Sequence, residues 1–266
     1  MNEQARVGDA WHQGDAYERY MGRWSERLAA PFLDWLAAEP DQRWLDVGCG
    51  TGALCAAIDR HARPAFLLGV DPSPGFLAAA AQRLPASVRL APGSAESIPA
   101  GDRSVDIVVS GLVLNFLPAV GRGLAEMRRV VHPGGTVAAY VWDYDEGMQM
   151  LRLFWDTAAR LDPAVGGLQE RLRFSLCRPE ALRAAFEAAG FTGVEIAPLE
   201  IRMQFADFDD FWSPLLGATG PAPAYVASLD EARRGQLREL LRESLPTRGA
   251  AGFALGARAW AVRGRA

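Results

Sequence analysis

Residues 45–52 read Leu45-Asp46-Val47-Gly48-Cys49-Gly50-Thr51-Gly52. An apolar run, Trp44–Val47, enters a glycine turn, and a helical pattern follows over 51–60. Glycine adopts backbone angles that a side chain forbids and lets the chain approach a ligand closely. The helix after the turn presents N–H groups that lack an intrahelical partner. Strand, glycine turn and helix in this order predict a ligand-binding connection, although a tight connection with no ligand has the same pattern.

Outward from this turn, short apolar runs alternate with helical periodicity. Strands are expected at Trp44–Val47, Phe66–Val70, Val88–Leu90, Val105–Ser110 and Thr136–Trp142, with helices at 51–60, 74–83 and 119–131. Such alternation predicts a parallel sheet covered on both faces. Upstream, residues 16–38 read as a helix with Leu28, Phe32, Leu33 and Leu36 on one side. Downstream, 147–162 reads as a helix, Pro179 opens another that Gly190 closes, and 192–205 and Phe253–Val262 read as strands. The last of these suits antiparallel pairing with its predecessor. Ser228-x-x-Glu231 has the form of a capping box. The expectation is one domain over 1–266, with a ligand-binding core at 40–142 and cap segments at 1–38, 143–178 and 207–246.

Composition narrows the class. Half of the 266 residues are hydrophobic and 23% are charged, enough for a sizeable core and unlike a disordered chain. The net charge is -4 and no Lys/Arg run occurs, so a nucleic-acid partner is not expected. Cys49, Cys55 and Cys177 form no CxxC pair, and His12, His61 and His132 have no metal-ligand spacing, so neither a metal nor a disulfide framework is expected. No apolar run is long enough to span a membrane, and the N-terminus lacks the apolar core of a signal peptide; a cytoplasmic protein is expected.

The second signal is Gly69-Val70-Asp71 at the end of the next strand. A carboxylate there can accept hydrogen bonds from both hydroxyls of an adenosine ribose, or it can merely cap the helix at Ser73-Pro74. Gly48-x-Gly50-x-x-Ala53 also satisfies the dinucleotide fingerprint, so these signals alone leave a nicotinamide cofactor open. Asp46 separates the two cases. A carboxylate before the glycines suits a cationic ammonium and repels a pyrophosphate. Gly93-Ser94-Ala95-Glu96-Ser97-Ile98-Pro99 after the third strand and Pro133-Gly134-Gly135 before the fifth complete the set.

Taken in order, these motifs resemble the core of class I S-adenosylmethionine (SAM)-dependent methyltransferases, nearest to the type-11 group that includes quinone-biosynthesis C-methyltransferases. The resemblance covers residues 44–142. It implies an α/β, Rossmann-like three-layer sandwich whose seven-stranded sheet is mostly parallel with an antiparallel last strand. It also implies methyl transfer from SAM to a small-molecule acceptor. It implies that the loop of Asp46, Gly48, Cys49, Gly50 and Thr51 holds the methionine part of SAM. It implies that Asp71 holds the ribose, with Pro72 beside the adenine, and that Ala95 and Glu96 flank the adenine. Ser110 is implied to lie close to the cofactor. Where many relatives carry Asp to bond the adenine amino group, this chain has Ser94, which is shorter but still offers an accepting oxygen.

Methyl transfer from a sulfonium needs positioning and exclusion of water more than a catalytic base. His12 is a candidate base in the N-terminal segment. Asn115 is expected to line the site after the fourth strand. Asp143 is expected either to orient an acceptor or to cap a turn. Within the cluster Tyr17, Tyr20, Arg23 and Trp24, Arg23 or Tyr20 could reach the methionine carboxylate. His61 and His132 sit at the wrong end of the sheet. Phe154, Trp155, Phe211, Trp212 and Tyr225 in the cap segments are expected to form the acceptor pocket, the alternative being that they only cement the cap. The sequence carries neither the Pro-Pro-aromatic motif of amino methylation nor the Pro-Cys of cytosine-C5 chemistry, and three lone cysteines argue against an arsenic acceptor. A nicotinamide-dependent oxidoreductase and a non-catalytic SAM-binding protein remain the alternatives.

Overall fold

The chain's computed structural model describes residues 18–217, 220–245 and 252–266. It opens with a π-helical turn, Glu18–Gly22, that runs into α1 (Arg23–Leu36). Trp24, Leu28, Phe32, Leu33 and Leu36 form the buried stripe of that helix. Ala37 ends it in the left-handed conformation, its N–H bonded to the Leu33 carbonyl.

The core then alternates as its periodicity predicts: β1 (Arg43–Val47), α2 (Ala53–His61), β2 (Phe66–Asp71), α3 (Pro74–Arg83), β3 (Val88–Pro92), β4 (Val105–Gly111), α4 (Val120–Val130) and β5 (Val131–Trp142). Next come α5 (Gln149–Leu161), the short α6 (Glu170–Arg173), α7 (Pro179–Ala188) and β6 (Thr192–Phe205). After β6 lie α8 (Phe208–Trp212), α9 (Pro221–Ser228), α10 (Glu231–Ser244) and β7 (Phe253–Arg265).

The seven strands form one sheet in the order β3-β2-β1-β4-β5-β7-β6. β1 to β5 pair in parallel, whereas β7 lies antiparallel between β5 and β6. Alternating side chains feed two cores. Trp44, Tyr140 and Trp142 face the layer of α1, α2 and α5, whereas Leu45, Val47, Val137, Ala139 and Val141 face α4 and α7. This is the three-layer Rossmann-like sandwich that the sequence predicts. From β1 the chain builds one way to β2 and β3, and later the other way to β4 and β5. A crevice opens at such a reversal, at the carboxyl ends of the strands.

Two local expectations need correction. β5 starts at Val131, because Val131 pairs with Val105 before Pro133-Gly134-Gly135 bulges out and Thr136 resumes the register against Ile107. Ser228 does not open a helix. It ends α9, its hydroxyl donating to the Tyr225 carbonyl at 2.7 Å, and Asp230 caps α10 by accepting from the Arg233 N–H at 2.8 Å.

Candidate functional site

A cavity of about 610 Å3 lies where β1, β2, β4 and β5 end. Its walls bring together Asp46, Gly48, Cys49, Gly50, Thr51, Asp71, Pro72, Ser94, Ala95 and Glu96, residues that the motifs single out on the connections after β1, β2 and β3. Parallel strands put these connections at one edge of the sheet, so motifs far apart in sequence meet there.

The glycine loop is held from beneath. The N–H groups of Gly48 and Cys49 both donate to the Val70 carbonyl, at 2.7 and 3.0 Å. Gly50 has a φ of +53°, and a Cβ added there would meet no atom of the described residues within 4 Å beyond its chain neighbours. The loop therefore turns its backbone to open space, in a conformation that L residues rarely adopt.

Asp46 is 1% exposed. Its Oδ2 accepts from the Cys55 thiol at 3.2 Å, and its Oδ1 is buried with no hydrogen-bond partner among the described residues. Burial pushes its carboxyl up to about 7; the Cys55 bond opposes this and the nearby Asp71 charge adds to it. An unpaired carboxylate oxygen in such a place is costly unless something polar meets it. Asp71 stands at the tip of β2. Burial raises its carboxyl too, against backbone N–H bonds from Ser73 and Gly50 at 2.8 and 2.9 Å that lower it. Ser73, not Asp71, caps α3, by accepting from the Phe76 N–H at 3.3 Å. Ser94 and Ser97 exchange backbone bonds and fold the next loop into a tight turn. Glu96, two residues on, keeps a buried Oε1 without a hydrogen-bond partner among the described residues.

Other predicted residues are placed elsewhere. Ser110 is fully buried, and its hydroxyl donates to the Val47 carbonyl at 2.8 Å, tying β4 to β1 beneath the cavity wall. Arg23 turns away to Asp210 at 2.6 Å, and its guanidinium lies over the rings of Trp24 and Phe205. Asp143 is buried against Arg258 at 2.6 Å and accepts the N–H groups of Asp145 and Glu146, which makes it a turn cap. Asn115 is absent from the cavity wall, although its neighbour Phe116 lines it. His12 and Tyr17 lie outside the described residues. His132 pairs with Asp106 at 2.8 Å, and α2 ends at the exposed His61; neither lines the cavity.

The expected acceptor aromatics are likewise not in the cavity wall. Phe154, Trp155 and Tyr225 pack on one another, and Phe211 packs on Phe205 and Phe253. Trp212 stacks on Phe208. Their size is spent fixing the cap to the sheet. The wall is completed instead by Met21, Ser25, Phe76, Val113, Phe116, Leu117, Tyr140, Trp142 and Tyr144. Sequence reasoning passed over these. The usable signal was parity: Tyr140 and Trp142 share the β5 face of Ala138, so the last two project toward the strand ends.

Comparison with known proteins fits this geometry. Residues 45–139 match the family model described as a methyltransferase domain. A malonyl-[acyl-carrier protein] O-methyltransferase of Geobacter sulfurreducens is 33% identical over 204 residues, covering 74% of this chain and 73% of that protein. A demethylmenaquinone methyltransferase of Chlorobaculum tepidum is 28% identical, over 62% of this chain and 71% of the relative. The Haemonchus contortus phosphoethanolamine N-methyltransferase 2 solved with S-adenosyl-L-methionine superposes with a TM-score of 0.57 at 17% identity, over 99% of this chain and 58% of that one. The chain belongs to the class I SAM-dependent methyltransferases of the type-11 group. It is an enzyme, its cofactor is SAM, and it transfers the methyl group to a small-molecule acceptor. No helix among the described residues is long and apolar enough to cross a membrane.

Proposed function

We propose that the cavity holds SAM in the cradle formed by Asp46–Thr51, Asp71–Pro72 and Ser94–Glu96, and receives the acceptor against Met21, Phe116, Tyr140, Trp142 and Tyr144. The unpaired, buried Oδ1 of Asp46 carries this reading. It is a polar site prepared inside the protein for a donor that the described residues do not supply. A cationic ammonium meets that need, and the methionine end of SAM has one. The open space over Gly50 leaves room for the same ligand, and the cavity volume is within the range of about 300–1,000 Å3 usual for small-molecule sites.

Bound SAM supplies an electrophilic methyl group on a sulfonium. The residues of the chain do the rest. Asp46 and the glycine loop anchor the amino-acid end, and Asp71, already fixed at both oxygens by backbone N–H groups, presents its remaining lone pairs to the ribose hydroxyls. Ala95 and Glu96 border the base, with the buried Glu96 Oε1 as an acceptor. The aromatic and apolar wall excludes water and orients the acceptor. Among the described residues that line the cavity there is no Lys, Arg or His, which favours a small organic acceptor with apolar or aromatic surface over a nucleic acid.

The test is transfer of a labelled methyl group from SAM into a fractionated metabolite pool, beside calorimetry of SAM and S-adenosylhomocysteine. Label is expected in an organic small-molecule fraction, and both nucleosides are expected to bind. Labelling confined to nucleic acid would overturn the acceptor reading, and absence of binding heat or competition on folded protein would overturn the cofactor cradle.

A further inference from the structure

We propose that Cys49 and Cys55 form an oxidative modification site: a peroxide entering the cofactor cavity joins them in a disulfide that shuts the cradle. Cys49 borders the cavity, and Cys55 lies fully buried beneath it on α2. Both thiols are free, and among the described residues the Cys49 thiol faces no stronger partner than the Gly50 carbonyl at 4.0 Å. The sulfurs share the space that the missing side chain of Gly69 leaves, each 3.0 Å from where a Cβ would stand. The Cys55 thiol also points at the Asp46 carboxylate, 3.2 Å away. None of these groups except Asp46 and the Cys49 backbone has a place in methyl transfer, so the adjacency of the two sulfurs is left over from the function.

The chemistry balances with hydrogen peroxide as oxidant. Cys49, the member that reaches the cavity, attacks one peroxide oxygen; the O–O bond breaks, Cys49 becomes a sulfenic acid and one water leaves. The Cys55 sulfur then attacks the Cys49 sulfur. The S–S bond forms, the S–O bond breaks, and the hydroxyl departs as a second water with the Cys55 proton, passed through Asp46 Oδ2. Two thiols lose two electrons and the peroxide is reduced to two waters. A disulfide holds its sulfurs about 2.05 Å apart, closer than two free thiols in contact, so the glycine loop must move toward α2. The same bond removes the donor that the Cys55 thiol gives Asp46.

The effect on affinity rests on the reading of this loop as the SAM cradle, whereas the cross-link itself does not. The full chain is treated with hydrogen peroxide, with and without saturating S-adenosylhomocysteine, then alkylated and digested with trypsin. The peptide 44–60, which contains both cysteines, is expected to be lighter by two hydrogens and unalkylated. Cys177 is expected to stay alkylated. SAM affinity by calorimetry is expected to fall by at least about tenfold and to return with dithiothreitol. Bound S-adenosylhomocysteine is expected to slow the reaction. Cys55→Ala is expected to stop at a sulfenic acid that dimedone traps. Over-oxidation of Cys49 with no cross-link would overturn the proposal, as would cross-linked protein that binds SAM as tightly as its reduced form. Reduced protein that fails to bind SAM would instead overturn the cradle, and the peptide mass would still decide the disulfide.

Discussion

The Asp71 carboxylate accepts the backbone N–H of Gly50 at 2.9 Å, so the acid at the end of β2 fastens the glycine loop at the end of β1. Its second oxygen takes the Ser73 N–H at 2.8 Å, just before α3. One side chain thus sets the relative position of two connections and faces the cavity between them. Asp71→Ala removes both the proposed ribose acceptor and the fastening. Charge-assisted hydrogen bonds are worth about 1.5–3 kcal/mol each, so SAM affinity is expected to fall by at least about tenfold with the fold retained. Calorimetry and a melting curve on the same sample check this. An unchanged dissociation constant would remove Asp71 from the cofactor site.

Gly50→Val acts through shape. A Cβ there meets nothing within 4 Å among the described residues beyond its chain neighbours, so folding is opposed mainly by the left-handed φ of +53°, at a cost of about 1–2 kcal/mol. The added branches extend instead into the space over the loop. SAM binding is expected to be lost while circular dichroism stays that of the parent. Normal binding would mean that the glycine turn is merely a tight connection.

Asp46 gives the cofactor affinity a pH dependence of known sign. Its carboxyl titrates at about 7 in the free protein because it is buried. A cationic ammonium at Oδ1 favours the carboxylate, so binding lowers that value and releases the proton held below neutrality. The SAM dissociation constant is therefore expected to rise by up to about tenfold for each pH unit below about 7. Asp46→Asn is expected to bind more weakly at neutral pH and to lose this slope. Calorimetry from about pH 6 to about pH 8, roughly one unit either side of the titration, reads both. A flat parent profile would place the ammonium elsewhere.

The parallel core was legible because each element carries its own signal. β1 and β2 are short apolar runs, each followed by turn chemistry and a helical period, and the sheet forces their ends together. The meeting of the motif residues was legible for the same reason, since backbone topology alone delivers Asp46, Gly50, Asp71 and Glu96 to one edge. The side-chain directions of Arg23, Asp143 and Asn115 were not legible. Each depends on a partner distant in sequence or on the packing of a short turn: Arg23 on Asp210, Asp143 on Arg258. The cap aromatics were illegible on another ground. Large aromatic residues suit a pocket and a buried cement equally well by type, and only the packing of Phe154, Trp155 and Tyr225 on one another separates the two.

That separation yields a paired test of where the acceptor sits. Trp212 is buried, stacks on Phe208 and is absent from the cavity wall. Truncating a buried aromatic side chain typically costs about 3–5 kcal/mol, so Trp212→Ala is expected to lower the melting temperature sharply. Its folded fraction is expected to keep the parent SAM affinity and acceptor KM. Phe116 is only half-buried, lines the cavity on the turn after β4, and lies edge-on to Phe174 at 5.1 Å. Phe116→Ala is expected to cost less stability and to raise the acceptor KM, with SAM affinity within about threefold of the parent, roughly 0.7 kcal/mol. Melting temperature, SAM calorimetry and methyl transfer with the acceptor found by labelling are measured on both variants. If Trp212→Ala shifts the acceptor KM more than Phe116→Ala does, the acceptor lies in the cap cluster and the wall of Phe116, Tyr140 and Trp142 serves only to enclose the cofactor.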